Sequence, residues 1–213
     1  MTKTALIIGA TGLSGSHLAS QLQASGGWKV YGLSRGGTEV AGVDAPVAAD
    51  LTQNNSVATL EALKDVTHVF FCTWSRQATE AENCLVNRSM VRNALNGLKN
   101  APLKHVALVT GTKHYLGPFE AYAQGRPYTP FLEDQDRLPG QNFYYEQEDE
   151  IFAHAKDRGY TWSVHRPHTM IGYVLGNAMN MAVTLAVYAS ICAETGRPFV
   201  FPGSEAQYKA VTD

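Results

Sequence analysis

A glycine-rich turn near the start of the chain restricts its fold more than any other feature. The apolar run over residues 4–8 leads directly into Gly9-Ala-Thr-Gly12-Leu-Ser-Gly15, and apolar residues at helical spacing follow. An uninterrupted apolar run is typical of a parallel strand that is buried on both faces. A strand, a glycine turn and a helix in this order predict the first unit of a dinucleotide-binding domain.

Each glycine of the turn has a predicted role in holding a pyrophosphate. Gly9 allows a sharp exit from the strand, Gly12 lets the backbone approach the anion, and Gly15 permits close packing of the helix on the strand. The N–H groups of the first helical turn then point at the anion. Thr11 and Leu13, within the same turn, are further candidates for contact with the nucleotide. A tight turn that binds no ligand is the alternative.

Strand and helix patterns alternate along the rest of the chain. Strands are also predicted over residues 28–33, 47–50, 67–73, 105–110 and 162–165, and helices over residues 13–23, 56–64, 79–98, 142–158 and 180–191. This alternation predicts an α/β fold with a doubly wound parallel sheet, the Rossmann fold. The long irregular stretch over residues 119–140 is expected to form a wall of the active site.

Composition and charge narrow the class of protein. The chain has 213 residues and a formal net charge of −2, so no attraction to nucleic acid or to an anionic membrane is expected. Its three cysteines are unevenly spaced, which favours free buried thiols in a reducing compartment, and no histidine or cysteine cluster has metal-ligand spacing. The longest apolar stretch, over residues 179–193, is too short and too polar to cross a bilayer. We therefore expect a cytoplasmic protein with a small-molecule partner.

The end of the second predicted strand indicates which nucleotide is bound. Sites selective for NAD place an acidic residue there, whereas this chain has Ser34 and Arg35. A guanidinium suits a 2′-phosphate, so NADP(H) is predicted; a solvated surface arginine is the alternative. Asp50 either binds the adenine amino group or caps the following turn. Leu51 and Thr73, which follow the third and fourth strands, are assigned to the same cofactor site.

The glycine spacing looks like that of short-chain dehydrogenases/reductases, but their usual Tyr-x-x-x-Lys pair is absent. Four residues after Tyr144 stands Glu148, and four residues after Tyr145 stands Asp149. Taken alone, this absence counts against ordinary alcohol–ketone chemistry and against sugar-nucleotide epimerases.

Three longer motifs resolve this difficulty. They are Lys113-His-Tyr-Leu-Gly-Pro-Phe119, Asn142-Phe-Tyr-Tyr-Glu-Gln-Glu-Asp149 and Trp162-Ser-Val-His-Arg-Pro167. With the Cys-Thr-Trp segment at 72–74, they closely resemble the progesterone 5β-reductase/iridoid synthase family. Members of that family are atypical short-chain reductases, related to the NAD-dependent epimerases and dehydratases, that reduce the C=C bond of enones with NADPH. The resemblance extends over residues 9–203.

The resemblance implies roles for five residues. Lys113 and Tyr144 would be the catalytic pair and would also contact the cofactor, with Tyr145 as the fallback phenol and a neighbour of the substrate. Phe119 and Trp74 would line the substrate pocket. In the implied reaction Tyr144 donates a hydrogen bond to the enone oxygen as negative charge develops there, and the Lys113 ammonium favours the ionising phenol.

The resemblance also implies a domain division. We expect a nucleotide-binding domain over residues 1–172 and the start of a helical substrate-binding region over residues 173–213. Members of the family continue further into a helical region that covers the substrate, so the chain is expected to be a fragment or to lack that cover. The apolar helix over residues 180–191 is either covered by such a region or forms a subunit contact, as in a homodimer.

Several alternatives stay open. The protein could be a non-catalytic NADP(H)-binding sensor or scaffold, or a sugar-nucleotide epimerase or dehydratase. A structural role is the more common one for His114, and core packing is the more common role for Trp74 and Trp162. Most of the acidic run over residues 146–150 is expected to be a solvated helix face, favoured near a helix N-terminus.

Overall fold

The protein contains one six-stranded parallel sheet with helices on its faces. The computed structural model describes residues 3–117, 129–174, 180–201, 203 and 205. The strands are β1 (Lys3–Ile8), β2 (Trp28–Ser34), β3 (Ala45–Ala48), β4 (His68–Phe71), β5 (His105–Val109) and β6 (Thr161–His165). The helices are α1 (Leu13–Ser25), α2 (Ser56–Leu60), α3 (Glu80–Gly97), α4 (Lys113–Leu116), α5 (Phe143–Arg158) and α6 (Met181–Glu194).

The strand order is β3-β2-β1-β4-β5-β6, and every pair is parallel. This is the order of a Rossmann fold, so the predicted fold class is confirmed. The order reverses between β1 and β4, and ligands of such sheets bind outside the carboxyl ends of the strands at that point. The glycine turn that follows β1 lies at this position.

Strand β1 forms the centre of the core, as its apolar run predicted. Its residues from Ala5 to Ile8 have no exposed surface. Leu6 and Ile8 belong to the larger core cluster, which includes the buried faces of α3 and α5, whereas Ile7 packs in a smaller cluster beside α1. Alternate side chains of a strand point to opposite faces of the sheet. The side chains of β1 therefore pack against the helices on both faces.

Helices α3 and α5 pack against each other, and both start with a side-chain cap. The Thr79 hydroxyl accepts from the Glu82 N–H, and the Glu82 carboxylate accepts from the Thr79 N–H, which is a capping box. The Asn142 side chain accepts from the Tyr144 N–H at the start of α5. These caps fix where each helix begins, and both starts lie next to the carboxyl ends of β4 and β5.

The expectation of a solvated acidic face on α5 was wrong in part. Glu148 is 1% exposed, and the preceding Gln147 is also buried. Glu148 accepts from Arg137 at 2.8 Å, and Arg166 lies 3.7 Å from its other oxygen. Both arginines lie outside α5, so the pattern of charges within the helix did not reveal the burial.

The core role favoured for the tryptophans was also wrong. Trp162 is 47% exposed because β6 is an edge strand of the described sheet, and its ring packs on Phe152 of α5 with centroids 4.1 Å apart. Trp74 is 38% exposed. Both side chains lie at the border between the core and the surface.

Helix α6 exposes most of its apolar side chains. Among its residues only Cys192 is buried and only Tyr188 is half-buried. Within the described part of the chain, no helix combines the length and apolar character needed to cross a membrane. The three cysteines are free thiols.

Candidate active site

The glycine turn has the close contacts that its spacing predicted. Gly9 has φ +87°, and a Cβ atom there would lie 2.6 Å from the Thr73 Cβ atom and 2.9 Å from the Cys72 carbonyl oxygen. A Cβ atom on Gly15 would lie only 2.3 Å from the Gly9 carbonyl oxygen. These two glycines hold the end of β1, the end of β4 and the start of α1 together.

The start of α1 is open toward an anion. Gly12 is the N-cap residue, and it provides no side-chain hydrogen bond to the first helical turn. Thr11 is exposed beside it, whereas the Leu13 side chain is buried, so only the backbone of Leu13 faces the turn. N–H groups at an uncapped helix start are donors for an anionic ligand. The turn therefore fits the pyrophosphate of a dinucleotide.

The segment after β2 presents a cation next to this turn. The Ser34 hydroxyl accepts from the Thr38 N–H at 3.0 Å, which closes a short loop around Arg35. Arg35 is exposed, and within the described residues its guanidinium has no hydrogen-bond or ion-pair partner. A phosphate group could therefore bind Arg35 without displacing another anion.

The remaining predicted cofactor contacts lie at the ends of β3 and β4. Asp50 Oδ1 accepts from the N–H and the hydroxyl of Thr52, so the capping alternative for Asp50 is present in the structure. Leu51 is buried in the core, and its carbonyl accepts from Asn93. Thr73 packs directly against Gly9. Beside it, burial raises the pKa of the Cys72 thiol to about 12, so Cys72 is not a thiolate nucleophile at neutral pH.

Lys113 is the first residue of α4, a single turn that the sequence did not predict because so short a helix has no periodicity. Its ammonium lies 2.6 Å from Glu80 Oε1 and 4.9 Å from the centroid of the Phe143 ring. The Lys113 side chain is 18% exposed. Its position is thus set by an ion pair and by an aromatic face.

Tyr144 lies close to the residues that precede Lys113. A Cβ atom built on Gly111 would be 3.2 Å from the Tyr144 hydroxyl oxygen, so the phenol reaches the loop between β5 and α4. The Tyr144 ring is half-buried and lies 4.3 Å from the Phe143 ring. Glu80, Lys113, Phe143 and Tyr144 form one group of neighbouring side chains, which we call the lysine–tyrosine cluster.

Tyr145 has a different environment from Tyr144. Its side chain is buried, and its hydroxyl donates to the His114 carbonyl oxygen and accepts from the Leu138 N–H, both at 3.1 Å. The Arg137 guanidinium covers its ring at 4.7 Å. These contacts connect α5 to α4 and to the segment that contains Leu138, so the Tyr145 hydroxyl stabilises the structure.

An aromatic wall borders the lysine–tyrosine cluster. The Trp74 ring stacks on Phe143 at a centroid distance of 4.9 Å and an interplanar angle of 18°. Its exposure fits a pocket wall better than a core residue. The other residue predicted to line the pocket, Phe119, lies outside the described residues.

The sequence did not single out Glu80. An acidic residue in the first turn of a helix is common, and nothing in the local pattern showed that Glu80 would contact Lys113.

His114 is buried, and its Nε2 atom pairs with the Gln135 carbonyl oxygen, whereas its Nδ1 atom has no partner among the described residues. No group of three or more potential metal ligands is found in the part of the chain that the structure describes.

Comparison with solved structures shows the fold. The UDP-glucose 4-epimerase of Thermus thermophilus, solved in complex with NAD, matches 95% of this chain and 68% of its own length, with a TM-score of 0.68 and 18% identity. The Bordetella bronchiseptica enzyme WbmH, solved in complex with NAD+, matches 92% of this chain and 63% of its own, with a TM-score of 0.62 and 17% identity.

Comparison with characterised proteins shows the family. The 3-oxo-Delta(4,5)-steroid 5-beta-reductase of Arabidopsis thaliana is 46% identical over 94% of this chain and 55% of its own length. An (S)-8-oxocitronellyl enol synthase of Nepeta racemosa is 44% identical over 98% of this chain and 57% of its own. The chain thus spans just over half the length of these relatives. The model of the PRISE-like Rossmann-fold domain matches residues 37–212. The chain therefore belongs to the progesterone 5β-reductase/iridoid synthase-like family and contains its PRISE-like Rossmann-fold domain.

Proposed function

We propose that the protein is an NADPH-dependent reductase of the C=C bond in α,β-unsaturated carbonyl compounds. The observation that supports the proposal is that Lys113 and Tyr144 share Phe143 as a neighbour: the Lys113 ammonium lies 4.9 Å and the Tyr144 ring 4.3 Å from the centroid of its ring. The identity of 46% to a steroid 5-beta-reductase supports the same reaction class.

The chain's own groups fit NADPH in two places. The N–H groups at the start of α1 would hold the pyrophosphate, since Gly12 leaves them uncapped. Arg35 would bind the 2′-phosphate with a charged fork, which favours NADPH over NADH. When bound, the reduced nicotinamide supplies a hydride to the β-carbon of the enone.

Tyr144 would act on the substrate oxygen. Negative charge appears on the enone carbonyl oxygen as the β-carbon is reduced, and a hydroxyl that donates to this oxygen stabilises charge that is absent in the ground state. Lys113, which like Tyr144 lies next to Phe143, would contribute a positive charge near that phenol and strengthen the donor. The proton that completes the α-carbon comes from solvent, so no general base is required.

Trp74 would bound the substrate. Its partly exposed ring stacks on the buried Phe143 and offers an apolar surface next to the polar groups of the lysine–tyrosine cluster. An enone has an apolar carbon frame and one polar oxygen, so this combination matches its chemistry.

The experiment mixes the protein with NADPH and 2-cyclohexen-1-one and follows the absorbance of the reduced nicotinamide. We expect NADPH consumption that depends on the enone, and formation of cyclohexanone by mass spectrometry. Binding of NADPH without consumption, across enones that include a steroid and a monoterpene dialdehyde, would support a nucleotide-binding sensor instead. Failure to bind NADPH at all would contradict both functions.

A further inference from the structure

One carboxylate, that of Glu80, joins the starts of three helices. Glu80 is the first residue of α3, and its Oε1 atom lies 2.6 Å from the Lys113 ammonium at the start of α4. The same oxygen accepts from the N–H of Phe143, the first residue of α5, at 2.9 Å. Its Oε2 atom accepts from the Asn83 amide at 3.3 Å. Glu80 therefore contacts both segments that carry the proposed catalytic pair.

The start of α5 shows what these bonds fix. The first N–H groups of a helix have no partner within the helix and must be satisfied from outside. The Glu80 carboxylate accepts from the Phe143 N–H, and the Asn142 side chain accepts from the Tyr144 N–H. Two consecutive backbone donors therefore have side-chain acceptors. The backbone from which the Tyr144 phenol projects is thereby anchored on one side by Glu80.

Glu80 also limits the freedom of Lys113. A lysine ammonium sits on a flexible four-carbon stem, and its direction must be imposed by its surroundings. The Glu80 and Lys113 side chains are only 28% and 18% exposed, so this pair is screened less by solvent than a surface ion pair. The Glu80 carboxylate and the Phe143 ring together restrict where the ammonium can lie.

We propose that Glu80 is a positioning residue for this active site. It would orient the Lys113 ammonium and the start of α5 together, so that ammonium and phenol keep one relative geometry. The proposal rests on the proposed reductase function and adds a residue that acts through Lys113 and Tyr144.

The test replaces the carboxylate with an amide of the same shape. Glu80→Gln keeps an oxygen acceptor for the Phe143 N–H but removes the charge that holds Lys113. Glu82→Gln is the matched control, because Glu82 lies on the same first turn of α3 and bonds Thr79 rather than Lys113. Circular dichroism and thermal unfolding check that each variant is folded.

The first readout needs neither cofactor nor turnover. Limited acetylation followed by mass spectrometry measures how fast Lys113 reacts, and a lysine side chain held between the Glu80 carboxylate and the Phe143 ring is less accessible to the reagent. We expect Lys113 to react several-fold faster in Glu80→Gln and at the wild-type rate in Glu82→Gln. Equal rates in all three proteins would overturn the positioning role.

The second readout separates positioning from simple loss of structure. We expect kcat for the enone to fall about tenfold in Glu80→Gln while the KM for NADPH stays within roughly twofold, since the pyrophosphate and 2′-phosphate contacts proposed for the glycine turn and Arg35 are untouched. An unchanged or increased kcat would contradict the proposal.

If the wild type is inactive yet Lys113 labelling responds to Glu80→Gln, then the reductase function fails and the pairing of Glu80 with Lys113 stands. If Glu80→Gln does not fold, Glu80→Asp keeps the charge at shorter reach and should show the same two changes at smaller size.

Discussion

The two halves of the candidate site are built in different ways. The glycine turn is made of backbone: Gly9 and Gly15 bring the chain within van der Waals distance of itself, and the N-cap residue of α1, Gly12, has no side chain to cap the helix. The lysine–tyrosine cluster is made of side chains that come from α3, α4 and α5. A backbone site depends on a few glycines at fixed spacing, whereas a side-chain site depends on tertiary packing. The two halves should therefore fail differently when they are mutated.

The largest effect is expected in the lysine–tyrosine cluster. Tyr144→Phe removes one donor to the developing oxyanion, so kcat for the enone should fall by about 100- to 1000-fold. The KM for NADPH should change much less, because the glycine turn and Arg35 keep their proposed contacts with the nucleotide. Steady-state kinetics with varied NADPH and enone measure both values. Turnover at the wild-type rate would show that Tyr144 is not the donor.

In the glycine turn the expected loss is one of folding stability. Gly15→Ala places a Cβ atom against the Gly9 carbonyl oxygen, and both are held by backbone, so the free energy of unfolding should fall by about 2 to 3 kcal/mol. Urea denaturation measures this change. Gly36→Ala is the control, since the atom nearest to its Cβ would be the Thr38 hydroxyl oxygen at 3.8 Å, an ordinary van der Waals contact, and stability should change by less than about 0.5 kcal/mol. Equal stability of the two variants would contradict the packing role of Gly15.

The segment after β2 should control nucleotide choice. Arg35→Ala removes the cation proposed for the 2′-phosphate, so the affinity for NADPH should fall roughly tenfold, which corresponds to about 1.4 kcal/mol. The affinity for NADH, which has no 2′-phosphate, provides the internal control and should stay the same. Fluorescence titration of both nucleotides gives the ratio. An unchanged preference for NADPH would remove Arg35 from the cofactor site.

The smallest effect is expected at the neighbouring tyrosine. Tyr145→Phe removes a hydroxyl that bonds the His114 carbonyl and the Leu138 N–H, so unfolding should become easier by about 1 kcal/mol. The variant should retain kcat within about threefold, because its hydroxyl has a structural task. Thermal unfolding and the enone assay test the two statements. A loss of turnover as large as that of Tyr144→Phe would reverse the assignment of the two phenols.

The same difference explains how far the sequence could predict the molecule. The Rossmann fold and the roles of Gly9 and Gly15 follow from local patterns, because an apolar run and glycine spacing act within a few residues. The pairing of Glu80 with the start of α5 joins positions 63 residues apart, and the local sequence has no signal for it. Glu148 was misjudged for the same reason, since the arginines that cover it come from other segments. Lys113 and Tyr144 were identified through the resemblance to a family rather than through their spacing.

The most direct measurement of the proposed reaction is the fate of the transferred hydrogen. NADPH that carries deuterium on its reactive ring carbon is mixed with the protein and 2-cyclohexen-1-one, and the product is analysed by NMR. The account predicts cyclohexanone with deuterium on the carbon that was β to the carbonyl. Deuterium on the carbinol carbon of an allylic alcohol would show that the enzyme reduces the C=O bond, and the assignment of Tyr144 as donor to an enolate oxygen would then be wrong.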